Sequence, residues 1–136
     1  MQPPAQIDHV GIAVHSLEEA SRLYRDVLGL ECVCTEEIPN QKVKVSFFQI
    51  GEIRIELLEP TADDSPIHKF LVRRGPGFHH IAYRVVDLSI VLAELKAAGV
   101  RLIDETPRDG AHDMKIAFVH PESTDGVLTE FCEPVR

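Results

Sequence analysis

Gly77-Phe78-His79-His80-Ile81-Ala82-Tyr83-Arg84-Val85 sets a histidine pair at the head of an alternating, strand-like run. Near the other end of the chain, Ile7-Asp8-His9-Val10-Gly11-Ile12-Ala13-Val14 has the same design. Each run carries a His, a small residue two positions on (Ala82 or Gly11), and then further apolar alternation. If one is a copy of the other, His9 and His80 are equivalent, and two equivalent histidines facing one cleft point to a metal.

The segments that follow each run support the copy. After residues 7–14, Ser16-Leu17-Glu18-Glu19 has the form of a capping box. Leu17, Ala20, Tyr24, Val27 and Leu28 then predict one buried helical stripe, with Gly29 as the stop. Asp87 is the matching cap after residues 79–86, with a stripe of Leu88, Val91, Leu92, Leu95 and Ala98 stopped by Gly99. Strands are predicted over 30–35, 43–50 and 53–59 in the first half, with a polar turn at 36–40. In the second half they are predicted over 100–104, 114–119 and 127–132, with loops at 107–113 and 120–126. Ser65-Pro66 predicts a short helix over 66–73 between the halves. Both halves read strand–helix–strand–strand–strand.

A second pair of segments matches as well: Glu56-Leu57-Leu58-Glu59-Pro60 and Glu130-Phe131-Cys132-Glu133-Pro134. The offset is 71 residues between the histidines and 74 between the leading glutamates, a drift that one loop insertion explains. The expected modules are 6–60 and 78–134, joined by a linker with a short helix over 61–77.

Composition narrows the functional classes. With 136 residues, the chain suffices for one compact domain or two half-units sharing a core. The net charge of −8 disfavours a general nucleic-acid binder, whose phosphate contacts need a basic surface. No apolar run approaches the ~20 residues that span a bilayer. The N-terminus has neither the basic start nor the apolar stretch of a signal peptide, so a cytoplasmic location is expected. Cys32, Cys34 and Cys132 fit no standard zinc spacing and are expected to be reduced.

Duplication groups four residues: His9, Glu56, His80 and Glu130. Imidazole nitrogen and carboxylate oxygen together suit divalent first-row ions, and four such ligands on an octahedral ion leave two positions for water or a bidentate substrate. Taken singly, a strand His is more often structural and a Glu on a polar strand face more often solvated; the repeat ties the four together. Parity separates the histidine pair. His80 shares a face with Ala82 and Arg84, as His9 does with Gly11 and Ala13, whereas His79 falls with Ile81, Tyr83 and Val85 and is expected in the core. His15, His68 and His112 read as surface or loop residues, and His120 lies in the loop before the last strand.

These segments resemble the vicinal oxygen chelate superfamily, which includes glyoxalase I and ring-cleaving dioxygenases. Within it the chain is most similar to the methylmalonyl-CoA epimerase family. Besides the segments quoted, the resemblance is carried by Asp64-Ser65-Pro66-Ile67, Gly99 to Glu105, Lys115-Ile116-Ala117-Phe118-Val119-His120-Pro121 and Gly126-Val127-Leu128. It implies an α+β fold of two tandem βαβββ modules forming one open, cupped mixed sheet around a metal site. It implies a divalent cofactor, Co2+ or else Mn2+, Ni2+ or Zn2+, held by His9, Glu56, His80 and Glu130. It also implies a homodimer that interconverts (2R)- and (2S)-methylmalonyl-CoA; a metal-stabilised enolate suits that substrate, and the twofold repeat offers Glu130 as the base and Glu56 as its acid–base partner. Gln41, Lys44 and Ser123 are expected to meet substrate, and Lys42, Arg73 and Arg74 are further cations for the CoA phosphates. Some relatives have Gln at the position of Glu56, and some place a Glu where this chain has Val45. The alternatives on the same scaffold are a glyoxalase I-like lyase and a non-catalytic protein that binds a small molecule.

Overall fold

The computed structural model describes residues 1–135. Two compact units divide the chain, one formed by His9–His79 and the other by Met1–Asp8 together with the residues from His80 onward.

In the unit His9–His79 the strand order is β2 (Cys32–Ile38), β3 (Val43–Ile50), β4 (Ile53–Pro60) and β1 (Gln6–Ala13). Strands β3 and β4 form an antiparallel hairpin across Gly51-Glu52, and β1 lies parallel to β4. Apolar residues cover one face of this sheet. Ile12, Val14, Phe48, Ile55 and Leu57 pack there against Leu17, Ala20 and Tyr24 of the helical segment that follows β1. Helix α1 (Leu17–Ser21) starts as its sequence requires, with Ser16 Oγ accepting the Glu19 amide at 3.2 Å.

Beyond Ser21 the helix widens into a π turn over Arg22–Val27. The expected apolar stripe therefore ends at Tyr24, whose ring stacks on Phe48 at 5.5 Å. Val27 and Leu28 are 74% and 55% exposed instead of buried. A π turn closes its hydrogen bond over five residues rather than four, so each residue advances less around the axis and the later side chains rotate off the sheet.

β2 also departs from expectation. It runs through Glu36 and Glu37 to Ile38, across a stretch read as a turn, because Glu36 pairs with Val45 and Glu37 with Lys44 on β3. Opposite charges facing across the strands favour that extension. Pro39 then ends the strand in a short 3-10 turn. After β4, helix α2 (Pro66–Arg74) is capped by Ser65 Oγ, which accepts the Ile67 amide at 3.1 Å.

The other unit repeats the plan with β5 (Gly77–Arg84, from His80 onward), β8 (Thr129–Pro134), β7 (Met114–Val119) and β6 (Arg108–Asp109) in that order. Helix α3 (Leu88–Ala97) is capped by Asp87, which accepts the Ile90 amide at 3.2 Å. Its Leu88, Val91 and Leu92 pack on Val85, Ala117, Val119 and Phe131. The strand expected over 100–104 is reduced to one bridge, Leu102 to Val119. There the amides of Ile103 and Asp104 both reach the Phe118 carbonyl, and Asp104 Oδ2 takes the Phe118 amide at 2.9 Å, so a regular ladder cannot continue. Pairing resumes at Arg108 and Asp109, inside the predicted loop, opposite Ile116 and Lys115. Gly110 follows where the chain passes so close to β7 that a Cβ would meet Ile116 at 2.7 Å. The last strand begins at Thr129, two residues later than predicted, because Gly126 at φ 89° and the turn around Pro121 keep the preceding residues in a loop.

The duplication is exact to the rung. Gly11 pairs with Glu56, and Ala82 pairs with Glu130. The Val14 amide bonds the Leu58 carbonyl and the Val85 amide the Cys132 carbonyl, both at 2.9 Å. The α+β class read from the sequence is the observed one. The start of the chain belongs with the second copy: the Ala5 amide bonds the Arg84 carbonyl, and Arg84 grips the fully buried Asp8 carboxylate at 2.7 and 2.9 Å.

Candidate functional site

Each unit buries one histidine and one glutamate at equivalent rungs. In the unit His9–His79, alternation sets His9, Gly11 and Ala13 of β1 beside Arg54, Glu56 and Leu58 of β4. Their face is the one opposite the helix-packed core. His9 is 4% exposed and Glu56 6% exposed, with Nε2 and Oε2 3.3 Å apart. In the second unit His80 is 3% exposed and Glu130 3%, and Nε2 and Oε1 are again 3.3 Å apart. Phe118, across from Glu130 on β7, sets its ring edge-on to His80 at 5.6 Å between centroids.

Burial of a carboxylate is costly unless a cation or donors compensate it. A pair whose nitrogen and oxygen face each other at 3.3 Å has the donor chemistry and spacing of two ligands of one ion. Ligand atoms about 2.1 Å from a metal and roughly 90–109° apart stand roughly 3.0–3.4 Å from each other. The residues therefore fit a divalent first-row ion.

The other expected residues are distributed as follows. His79 is half-buried, with its ring edge-on to Phe70 of α2 at 5.0 Å, so it packs on a helix rather than in the sheet core. His68 lies within α2, the helix predicted over 66–73, and is half-buried. His15 is exposed. His112 has a left-handed backbone, at φ 57°. His120 Nδ1 accepts the Glu122 amide at 3.0 Å and so caps a 3-10 turn. Gln41 is half-buried in the turn after β2. Lys44 is exposed and sits on the face of β3 away from Glu56, since Phe47 is the residue opposite that glutamate. Ser123 is exposed, and its Oγ accepts the Arg101 amide at 2.8 Å. Lys42 pairs with Asp64, so it ties down the start of the linker. Arg74 lies over the Phe70 ring, and Arg73 is exposed. Cys32 and Cys34 are half-buried thiols, and Cys132 is a buried thiol whose Sγ donates to the Tyr83 carbonyl at 3.6 Å.

Two side chains on the same sheet face as His9 and Glu56 escaped the sequence reading. Arg54 is 6% exposed on the strand face of Glu56, with its guanidinium over the Phe47 ring at 5.7 Å. Alternation in Ile53, Ile55 and Leu57 places it there, but a lone strand Arg reads as solvated. Glu36 was hidden by the turn assigned to its segment, although Cys32, Cys34 and Ile38 continue a period of two through it.

Residues 8–118 match the family model described as the Glyoxalase/Bleomycin resistance protein/Dioxygenase superfamily. The ethylmalonyl-CoA/methylmalonyl-CoA epimerase of Cereibacter sphaeroides is 39% identical over 127 residues, 92% of this chain and 95% of that protein. The crystal structure of methylmalonyl-CoA epimerase from Mycobacterium tuberculosis superposes with a TM-score of 0.94 at 38% identity, covering 100% of this chain and 94% of that one. A methylmalonyl-CoA epimerase in complex with methylmalonyl-CoA and NH4+ superposes equally, with a TM-score of 0.94 at 36% identity over 98% of this chain and 96% of that one. The chain belongs to the glyoxalase/bleomycin resistance protein/dioxygenase superfamily and, within it, to the methylmalonyl-CoA epimerase family.

Proposed function

We propose that the protein is a metal-dependent epimerase interconverting (2R)- and (2S)-methylmalonyl-CoA, with His9, Glu56, His80 and Glu130 holding one divalent ion. The observation that carries this reading is the buried histidine–glutamate pair at 3.3 Å, repeated at the same rung of both units. Relatives named as epimerases of this substrate class support the choice of reaction. When bound, the ion supplies Lewis acidity toward the thioester and carboxylate oxygens of a 1,3-dicarbonyl, lowering the cost of negative charge beside C2.

The protein's own groups move the proton. Glu130 takes it from one face of C2: the C–H bond breaks, its electron pair enters the conjugated thioester as an enolate, and the proton rests on a carboxylate oxygen. Return of a proton to the opposite face completes the epimerisation, a step for which the twofold repeat offers Glu56. Glu130 is itself 3% exposed, so little water reaches its carboxylate. Dryness strengthens each charge interaction there. Gln41 and Ser123 are proposed to hydrogen-bond the substrate carboxylate at the rim, and Lys44, on the face of β3 away from Glu56, to meet the CoA phosphates.

The free cysteines suit a reducing, cytoplasmic location, and no helix among the described residues is long and apolar enough to cross a membrane. The homodimer and Co2+ remain part of the proposal on the family resemblance. The test is interconversion of (2S)-methylmalonyl-CoA after chelation and re-addition of single metals. Interconversion that depends on the ion supports the reading. Turnover of methylglyoxal with glutathione in its place would assign the protein to the lyase branch.

A further inference from the structure

We propose that Glu36 is the second acid–base group of this reaction, serving the face of C2 opposite to the one served by Glu130; the proposal rests on the epimerase reading above. Cross-strand register places it. Cys34 and Glu36 of β2 lie opposite Phe47 and Val45 of β3, and these lie opposite Glu56 and Leu58 of β4. Residues facing across strands share a sheet face, so Glu36 is on the face of His9 and Glu56. Among the described residues of the four strands of that unit, Glu36 and Glu56 are the carboxylates on this face. Glu37 alternates to the other side opposite Lys44, and Glu59 accepts the Leu17 amide at 2.8 Å. Glu36 is half-buried where Glu37 is exposed.

The second unit shows what is particular about this rung. Phe118 lies opposite Glu130 as Phe47 lies opposite Glu56. Two residues back, Ile116 corresponds to Val45, and its partner on β6 is Arg108. Glu36 and Arg108 are thus equivalent positions. The two units agree at their metal-ligand rungs and diverge here, with a carboxylate in one and a guanidinium in the other. Arg108 is held 3.1 Å from Asp104 and over the Phe118 ring at 5.5 Å, and it cannot accept a proton at neutral pH. One rung therefore offers a base and its counterpart a fixed cation, which suits a substrate whose own two ends differ.

Chemistry favours Glu36 over Glu56 for this duty. Glu56 is one of the proposed ligands and Glu36 is not, so a second base at Glu36 would leave the bond from Glu56 to an ion undisturbed while Glu130 works. The Glu36 position lies two strand spacings, roughly 10 Å, out from β4, and Val45 between them is short and apolar. The proton reaches Glu36 directly or through one water. The balance is that of a single proton transfer: the C2–H bond breaks, the proton moves to a Glu36 oxygen, the pair enters the thioester conjugation, and protonated Glu130 supplies the new C2–H bond. The reverse direction exchanges the roles.

The experiment is C2-hydrogen exchange in deuterated water, followed by NMR on each epimer separately with the Co2+-loaded protein. For Glu36→Gln the expected result is one epimer exchanging within threefold of the parent rate, while exchange of the other and net epimerisation fall at least about 100-fold. Glu130→Gln is expected to show the mirror pattern, and Glu36→Asp to recover part of the lost exchange. Exchange of both epimers at the parent rate in Glu36→Gln overturns the assignment. Equal loss from both epimers in a variant with the parent urea midpoint overturns it too, since that pattern belongs to a positioning role. A parent protein that exchanges neither epimer removes the epimerase reading itself.

Discussion

Glu59 Oε1 accepts the Leu17 amide at 2.8 Å, binding the end of β4 to the first turn of α1. Glu133 Oε1 does the same for Leu88 of α3, also at 2.8 Å. The two glutamates of each repeated Glu-x-x-Glu-Pro segment therefore have separate duties. The first pairs with a strand histidine, and the second satisfies an open amide at a helix N-terminus, where the helix dipole also favours a negative charge. Three residues apart on a strand, they point to opposite faces, which is why one segment reaches both the candidate site and the helix layer.

Removing the second glutamate should cost stability without touching the ligand pair. Glu59→Ala and Glu133→Ala are each expected to lower the unfolding free energy by about 1–2 kcal/mol, measured by urea denaturation. Metal affinity should remain that of the parent. A loss of metal binding on Glu133→Ala would contradict the division of duties.

Asp8 carries a larger share. Its carboxylate is fully buried and takes two guanidinium hydrogen bonds from Arg84. Asp8→Ala leaves that cation without its partner, although Arg84 is about one-third exposed and recovers some hydration. A cost of roughly 2–3 kcal/mol is expected, below the 3–5 kcal/mol of a fully buried pair. Denaturant unfolding checks it, and a change below 0.5 kcal/mol would show that the ion pair is incidental.

The ligand proposal predicts linkage between metal and stability. Binding to the folded chain alone raises stability by about 2.7 kcal/mol at a free metal concentration 100 times Kd. Thermal denaturation with and without Co2+ should show that rise, and elemental analysis should find about one ion per chain. His9→Ala and His80→Ala should each abolish the metal-dependent stabilisation. A rise that survives both substitutions would place the ion elsewhere.

Glu130→Gln tests the proposed base at its own site. Amide for carboxylate keeps the size of the side chain but removes the proton acceptor, so interconversion is expected to fall by about 10²–10⁴-fold. Stopped assays with pure (2S)-methylmalonyl-CoA measure this. Retention of C2 exchange from both epimers at the parent rate would sink the assignment.

A pH effect should appear at the linker. The hydrogen bond from Lys42 holds the Asp64 carboxyl below the usual aspartate range. Its contribution to stability is therefore present above the unfolded aspartate value, near 3.8, and is lost as pH falls through the lower folded value. Lys42→Ala should move the Asp64 titration, followed by NMR, upward toward 3.8. At this exposed site salt should weaken the shift. An unchanged titration in the variant would mean that Lys42 is not the cause.

Period-two alternation and two repeated segments made the duplication legible, because a strand's side-chain spacing is set by its backbone geometry alone. The same regularity identified His80 rather than His79 as the partner in the buried pair, since parity assigns each histidine to a face. The capping residues Ser16, Ser65 and Asp87 were legible for a similar reason: each bonds an amide two or three residues away, within its own local sequence. What stayed hidden depends on residues distant in the chain. The π turn at Arg22–Val27, which exposes Val27 and Leu28, has no local marker. The extension of β2 through Glu36 depended on a partner strand, with Lys44 and Val45 opposite, and the loss of the 100–104 strand depended on how Asp104 meets Phe118.

By itself, then, the sequence determined the repeated βαβββ plan, the helix starts, and the four residues His9, Glu56, His80 and Glu130, all of them consequences of short-range periodicity and of likeness between the two halves. Only the tertiary structure decided which rung each side chain occupies. It buried the two histidine–glutamate pairs at 3.3 Å, gave Glu59 and Glu133 to the helices, and placed Glu36 opposite Val45. Register and burial arise from packing between segments far apart in the chain, and no local spacing encodes them.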